Sequence, residues 1–147
     1  MGVIIDTSVW VEVERGRLAP ADVAAITGQE PVYLAPPVLA ELEYGMHRAR
    51  TSAQRLKRAA AVARIRKKPC LLMDAETGLN FGRLAADLDT QGRPSIHRIQ
   101  DLWLAALAVQ HNLKILTLNL EDFQGIPGLA VLTPGTKHTD HLSGPAP

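Results

Sequence analysis

Short apolar segments that alternate with helical segments predict an α/β fold, a three-layer α/β/α sandwich around a central, mostly parallel sheet of four to five strands. Aromatic residues make up only 4% of the 147 residues, which disfavours an aromatic-rich β-sandwich. One helical stretch near residue 100 is apolar on most faces, as expected of a helix packed deep against a sheet. These observations together favour parallel strands joined by crossover helices.

Two strands and two helices are predicted at the start of the chain. Residues 2 to 5 are apolar and β-branched, which predicts a buried strand that ends at the polar turn Asp6-Thr7-Ser8. A short helix follows from Val9 to Glu14. A second helix runs from Pro20 to Thr27, because proline suits a first turn and a glycine follows the end. Val32 to Ala35 is the second strand.

The middle of the chain predicts three helices and one strand. Two prolines close the second strand and open a helix, in which apolar residues repeat at helical spacing. An Ala- and Arg-rich helix runs from Ser52 to Lys67. Pro69 to Met73 predicts a strand, with Cys70 as a small buried hydrophobe. Asp74 or Thr77 then caps a helix that continues to about residue 89.

The last third predicts the buried helix and two more strands. The helix holds Ile99 to Val109, and the strands are Lys114 to Thr117 and Leu129 to Leu132. Residues 1–133 therefore form one domain. Residues 134–147 are rich in Pro and Gly, and we expect them to be disordered.

Cysteine and apolar content limit the cellular setting. Cys70 is the only cysteine, so no intrachain disulfide can form. No basic leader precedes Val3, and the longest apolar run, Leu102 to Val109, is too short to cross a bilayer. We expect a cytoplasmic protein with no membrane contact.

Positive charge is concentrated in one segment, although the net charge is only +1. No acidic residue occurs from Tyr44 to Met73, whereas nine of the sixteen Lys and Arg residues lie between Arg48 and Lys68. The segment is either a phosphate-binding surface or a solvated helix face. The candidate RNA contacts are Arg48, Arg50, Arg55, Lys57 and Arg58.

Carboxylates flank the predicted buried elements. Asp6 directly follows a strand, and Asp101 adjoins the apolar helix. Each taken alone is explained by helix capping or by the helix dipole. If they converge at the carboxyl end of the sheet, where ligands bind in such folds, their repulsion favours a divalent cation with oxygen ligands. Such an ion activates water for phosphodiester hydrolysis.

Helical periodicity does not distinguish Glu41 from Glu43 as a partner of these acids. At about 100° per residue the two fall on opposite flanks of the apolar stripe that contains Val38 and Leu42. Both positions are at the edge of the amphipathic face.

Four motifs occur in order from Val3 to about Leu132. They are Ile4-Ile5-Asp6-Thr7-Ser8-Val9-Trp10, Val38-Leu39-Ala40-Glu41-Leu42-Glu43-Tyr44-Gly45, Gln100-Asp101-Leu102-Trp103-Leu104-Ala105-Ala106 and Leu116-Thr117-Leu118-Asn119-Leu120-Glu121-Asp122-Phe123. This set resembles the motifs of PIN-domain nucleases, in particular the VapC-type toxins of bacterial toxin–antitoxin pairs. One such motif is weak evidence, whereas four in order are strong.

The resemblance implies a set of site residues. Asp6 and Asp101 would ligate the metal, and Glu41, rather than Glu43, would be the next catalytic acid. Asp122 would be a fourth acid, and Glu41 and Asp122 are further candidate ligands. The supporting residues that it implies are Thr7, Ser8 and Asn119.

One position departs from the pattern of the family. Asn119 stands where many PIN domains have an aspartate, which puts a second tightly bound metal in doubt. Asp122 compensates for it either directly or through a water. The metal is Mg²⁺ or Mn²⁺, since both prefer oxygen ligands.

The resemblance also implies an activity and partners. It predicts endonucleolytic cleavage of RNA, with tRNA or ribosomal RNA as target, homodimerisation, and inhibition by a cognate antitoxin protein. Two alternatives stay open: a housekeeping RNA-processing nuclease, and a catalytically silent binding module of the same fold. A phosphatase of the haloacid-dehalogenase type is disfavoured, because Ser8 stands where its second Asp would be.

Overall fold

The computed structural model of the protein describes residues 1–93 and 98–134. Four strands are present in these residues: β1 (Val3–Ile5), β2 (Val32–Tyr33), β3 (Lys114–Leu116) and β4 (Ala130–Leu132). The helices among the described residues are α1 (Thr7–Glu14), α2 (Pro20–Thr27), α3 (Pro36–His47), α4 (Ser52–Ile65), α5 (Ala75–Thr90), α6 (Ile99–Gln110) and α7 (Leu120–Phe123).

The strands form one parallel sheet in the order β2-β1-β3-β4. Val3 lies opposite Val32 on one side and Lys114 on the other. Because all strands run the same way, their carboxyl ends meet at one edge of the sheet. The predicted parallel α/β sheet is confirmed, and Asp6 lies at that edge.

Helices cover both faces of the sheet, which gives the predicted three layers. Alternate residues of β1 point to opposite faces. Val3 and Ile5 belong to a small core with Val9 of α1 and Val23 of α2. Ile4 belongs to the larger core, which contains buried residues of α3, α5 and α6.

Helix α6 is the central element of the larger core. Its residues Leu104 to Ala108 are all at most 2% exposed, as is Leu102. The predicted deep burial of this helix is therefore confirmed. Helix α5 packs along α6, where the rings of Phe81 and Trp103 stack with centroids 4.1 Å apart. The first turn of α6 carries Asp101, so this packing fixes the height of that carboxyl above the sheet.

The segment predicted as a strand from Pro69 to Met73 is mostly not one. Its ladder contact is a single bridge between Leu34 and Cys70, and the chain then leaves the sheet. The prediction that Cys70 is buried was wrong, because the residue lies at the sheet edge and is exposed. Two apolar neighbours, Leu72 and Met73, are exposed as well.

Helix ends differ in detail from those predicted. Helix α1 begins at Thr7 rather than Val9, and α4 ends at Ile65 rather than Lys67. Asp74 caps α5 by accepting a hydrogen bond from the backbone N–H of Thr77. The predicted disordered tail lies outside the described residues except for its first residue. Among the described residues, no helix is long and apolar enough to cross a membrane.

Candidate active site

Asp6 is a buried carboxylate at the carboxyl end of β1. It is 6% exposed, and its Oδ2 accepts hydrogen bonds from Ser8 Oγ at 2.8 Å and Thr117 Oγ1 at 2.9 Å. Asp6 occupies the position before α1, but its side chain makes no cap hydrogen bond. Since both hydroxyls donate to one oxygen, they hold the carboxylate in a fixed orientation and offset part of its desolvation.

The two hydroxyls are fixed in turn by the chain that follows β3. Ser8 Oγ accepts from the backbone N–H of Leu118 at 3.1 Å, and Thr117 Oγ1 accepts from that of Asn119 at 3.0 Å. Thr117 is 0% exposed. The ends of β1 and β3 are therefore tied together through side chains that also orient Asp6.

Glu41 faces Asp6 from the middle of α3. The residue is accessible to solvent, but partial burial of its carboxyl group raises its pKa above 4.5, and the negative charge of Asp6 adds to this. The Thr7 hydroxyl lies near enough to favour the charged form of Glu41. Thr7 Oγ1 is itself buried and has no hydrogen-bond partner of normal geometry among the described residues.

Asp101 is the most strongly perturbed acid of the described chain. Burial raises its pKa from 3.8 to about 7, and the negative charges of Asp122, Asp6 and Glu41 contribute further. Arg98 opposes this shift. Residues from four separate elements therefore act on one carboxyl group, which requires all of them to lie within electrostatic range.

A cleft of about 380 Å³ brings these acids together. Its walls come from the ends of β1 and β3 and from α1, α3 and α6. The lining residues are Asp6, Thr7, Ser8, Val11, Glu12, Arg15, Glu41, Asp101, Leu118 and Asn119. The predicted acids Asp6, Glu41 and Asp101 and the predicted supporting residues Thr7, Ser8 and Asn119 all line it.

Two other acids from the sequence lie differently. Glu43 is on the exposed side of α3, where its Oε1 lies 3.1 Å from His47 Nε2. Asp122 lies on α7 and pairs with Arg98, with 3.2 Å between Oδ1 and Nη1. Asp122 acts on Asp101 through its charge but is not among the residues that line the cleft.

The basic segment divides into two groups. Arg55 and Arg58 reach the end of α3, where they donate to the carbonyl oxygens of His47 at 3.2 Å and Gly45 at 2.8 Å. They therefore satisfy the carbonyls at a helix C-terminus. Arg48, Arg50 and Lys57 are exposed.

Three functional candidates were missed from the sequence. Thr117 orients Asp6, Arg98 pairs with Asp122, and Arg15 lines the cleft. The signal for Thr117 was its position directly after a strand that neighbours β1. No local signal marks Arg98 or Arg15, because each acts through a contact set by the tertiary structure.

The chemistry of the cleft fits a hydrated divalent cation. Within residues 1–93 and 98–134, no three acidic, His or Cys side chains stand close enough to enclose an ion by themselves. Mg²⁺, however, usually keeps several waters and uses one or two carboxylates together with substrate phosphates. The mutual repulsion that raises the pKa of Asp101 is the penalty that such a cation relieves. The donor set, made of carboxylate oxygens, suits Mg²⁺ or Mn²⁺.

Comparison with known proteins gives one consistent result. The family model described as PIN domain matches residues 3–129. Ribonuclease VapC1 of Rickettsia felis is 36% identical over 93% of this chain and 99% of its own length. The structure of VapBC-5 from Mycobacterium tuberculosis, a member of the VapBC family of toxin–antitoxin systems, matches with a TM-score of 0.74 and 26% identity, covering 90% of this chain and 99% of that one.

A third match shows the fold alone. VapBC2 from Rickettsia felis, crystallised with a DNA fragment from its promoter, superposes with a TM-score of 0.76 at 19% identity, covering 90% of this chain and 98% of that one. The family match and the 36% identical relative decide the classification. The chain belongs to the PIN-domain family and, within it, to the VapC proteins.

Proposed function

We propose that this chain is a divalent-metal-dependent endoribonuclease whose active site is formed by Asp6, Glu41 and Asp101. The observation that carries this proposal is the electrostatic convergence on Asp101, whose pKa is raised to about 7 by burial and by three neighbouring carboxylates. Perturbed acids in a cleft are typical of catalytic sites. The relatives named ribonuclease VapC support RNA as the substrate.

Asp6 and Asp101 would hold the ion, with Glu41 beside them. When bound, the ion supplies a polarised water and stabilises charge on a phosphoryl oxygen. Asp6 presents a fixed carboxylate because Ser8 and Thr117 bind its Oδ2. Glu41 accepts the proton of the attacking water, since its raised pKa makes it a stronger base than an ordinary carboxylate.

The cleft also carries groups suited to the RNA backbone. Arg15 lies at its rim beside Glu12, with 3.6 Å between Nη1 and Oε1. The Asn119 side chain lines the same cleft and offers amide donors to phosphate oxygens. Arg48, Arg50 and Lys57 extend the positive surface and would add salt-sensitive affinity. As substrate class we propose structured RNA, tRNA or ribosomal RNA.

We further propose a cognate antitoxin protein as inhibitor, which the VapBC complexes among the structural matches support. An apolar groove of about 190 Å³ adjoins the acids, because Glu41 and Arg15 line both. In its wall, the indole nitrogen of Trp10 is buried and has no partner among the described residues. A carbonyl oxygen of a bound antitoxin segment would pair with it. We also propose a homodimer acting in the cytoplasm.

Cleavage of a defined RNA by the purified chain tests the activity. We expect cleavage with Mg²⁺ or Mn²⁺, none with EDTA, and a loss of at least about 100-fold in Asp6→Asn and Asp101→Asn. Gel filtration of the wild type tests the homodimer. Cleavage that continues undiminished in both variants would refute the assigned site, since a contaminating nuclease or another site would then be responsible.

A further inference from the structure

A second cleft, of about 410 Å³, lies beside the acids and plays no part in the chemistry described above. Its lining residues are Thr7, Ala40, Glu41, Tyr44 and Gln100. It shares Thr7 and Glu41 with the acid cleft. A molecule whose phosphate lies at the acids therefore has a neighbouring space of its own to enter.

Tyr44 presents an aromatic ring to solvent in this cleft. The residue is 67% exposed, whereas Phe123 is 1% exposed. Trp10, Tyr33, Phe81 and Trp103 are all partly buried and pack against the cores or each other. A ring left in water at the edge of an active-site cleft is a ready stacking surface.

Helix geometry places the ring next to the chemistry. Tyr44 follows Glu41 by three residues on α3, so the two side chains lie one turn apart on the same helix surface. Across the cleft, Gln100 precedes Asp101 in the first turn of α6 and is exposed. Its amide offers both donors and acceptors.

We propose that this cleft is a nucleobase subsite, in which an unpaired base beside the scissile phosphate stacks on Tyr44 and meets the Gln100 amide with its edge. The inference rests on the proposed ribonuclease function and narrows its substrate to RNA with an unpaired nucleotide at the cleavage site. Bases inside a duplex are stacked on their neighbours and cannot enter such a cleft, whereas loop bases can be splayed out onto aromatic rings.

Binding of a short single-stranded RNA to Asp101→Asn protein, which holds the substrate without cleaving it, tests the subsite directly. Adding Tyr44→Ala should weaken the Kd by about tenfold or more, and adding Tyr44→Phe should leave it within about twofold, because the ring is kept. Leu56→Ala is the matched control, since Leu56 is 72% exposed on α4 and lines neither cleft.

RNA that lacks one base identifies the nucleotide. Removing the stacked base should weaken binding to the Tyr44 protein as much as Tyr44→Ala does, and the same RNA should show no further loss with Tyr44→Ala. In cleavage by otherwise wild-type protein, Tyr44→Ala should raise KM more than it lowers kcat. Equal loss from every base position, or a Tyr44→Ala effect explained by a changed oligomeric state in gel filtration, would overturn the subsite.

The two proposals fail in different ways. If wild-type protein does not cleave RNA with any divalent ion, the ribonuclease function itself is wrong. If wild-type protein cleaves and Tyr44→Ala binds and cleaves equally well, only the nucleobase subsite is wrong.

Discussion

Arg98 holds Asp122 in an ion pair, with 3.2 Å between Nη1 and Oδ1, at the border of the acid cleft. The same guanidinium is the one positive influence on the pKa of Asp101, against three negative neighbours. Arg93 reinforces this arrangement from the other side, since it donates to the carbonyl oxygens of Glu121 and Gln124. Two arginines thus attach α7 to the approach to α6.

We expect Asp122→Asn to be milder than Asp101→Asn. Because Asp122 is paired with Arg98 and does not line the cleft, its loss should lower kcat/KM by about 10-fold, the scale of an indirect contact to a metal site. Asp101→Asn should cost at least about 100-fold. Steady-state cleavage of one RNA by both variants measures this, and equal losses would make Asp122 a direct ligand.

Glu41→Gln and Glu43→Gln form a matched pair on one helix. Glu41 lines the acid cleft, whereas Glu43 contacts His47 on the exposed side. Glu41→Gln should therefore reduce kcat by about 100-fold or more, as expected for loss of a general base. Glu43→Gln should stay within about twofold. Similar rates for the two variants would contradict the assignment.

The hydroxyl of Thr117 should matter more than its volume. Thr117→Val keeps the shape but removes a donor to Asp6 Oδ2, so we expect a 10- to 100-fold loss of metal affinity or activity, in the approximate range of outer contacts at metal sites. Thr117→Ser retains the hydroxyl and should recover most of it. If both variants behave alike, the hydrogen bond has no functional role.

The acid cluster should destabilise the metal-free protein at neutral pH. Since the folded pKa of Asp101 is about 7 and the ordinary value 3.8, the unfolded chain binds fewer protons between these values. The free energy of unfolding should thus fall as pH rises from about 4 to 7. Asp101→Asn removes the ionisable group and should stabilise the protein by about 1–2 kcal/mol at pH 8, after discounting for solvent screening.

Urea unfolding in EDTA at pH 5 and pH 8 measures this effect. Asp74→Asn is a useful control, because hydrogen bonds from Gln110 and Thr77 lower the pKa of Asp74 and its replacement should instead destabilise the protein. A wild-type protein that is as stable at pH 8 as its Asp101→Asn variant would argue against the electrostatic strain.

The basic segment should separate into structural and RNA-contacting residues. Arg58 donates to the carbonyl of Gly45, so Arg58→Gln should lower stability by about 0.5–1.5 kcal/mol. Replacing Arg48, Arg50 and Lys57 with Gln should leave stability nearly unchanged. That triple variant should flatten the salt dependence of RNA binding by about 0.7 per lost phosphate contact. An unchanged slope would make the segment a solvated surface.

Local sequence signals predicted the elements that have strong local causes. Proline at a first turn and glycine after the end gave both bounds of α2. The unbroken apolar composition of α6 predicted its burial. Helix α7 was missed, because its four residues are too few to show a periodicity. Cys70 was placed wrongly since an apolar run cannot report that its sheet pairing stops after one bridge.

The site shows the same limit in another form. Asp6 was identifiable because it directly follows a buried strand, and its predicted place at the sheet edge is where the structure has it. Glu41 could not be separated from Glu43 by periodicity, since the choice depends on which side of α3 faces α1. Arg98 pairs with a residue 24 positions away in sequence, and no local pattern encodes such a contact.

The central claim is that carboxylates from β1, α3 and α6 share one divalent ion, and Mn²⁺ binding followed by electron paramagnetic resonance tests it most directly. We expect saturable Mn²⁺ binding to wild-type protein and to Glu43→Gln, with affinity reduced by at least about 10-fold in each of Asp6→Asn and Asp101→Asn. Mn²⁺ affinity that is the same in the wild type and in both Asp variants would contradict the account.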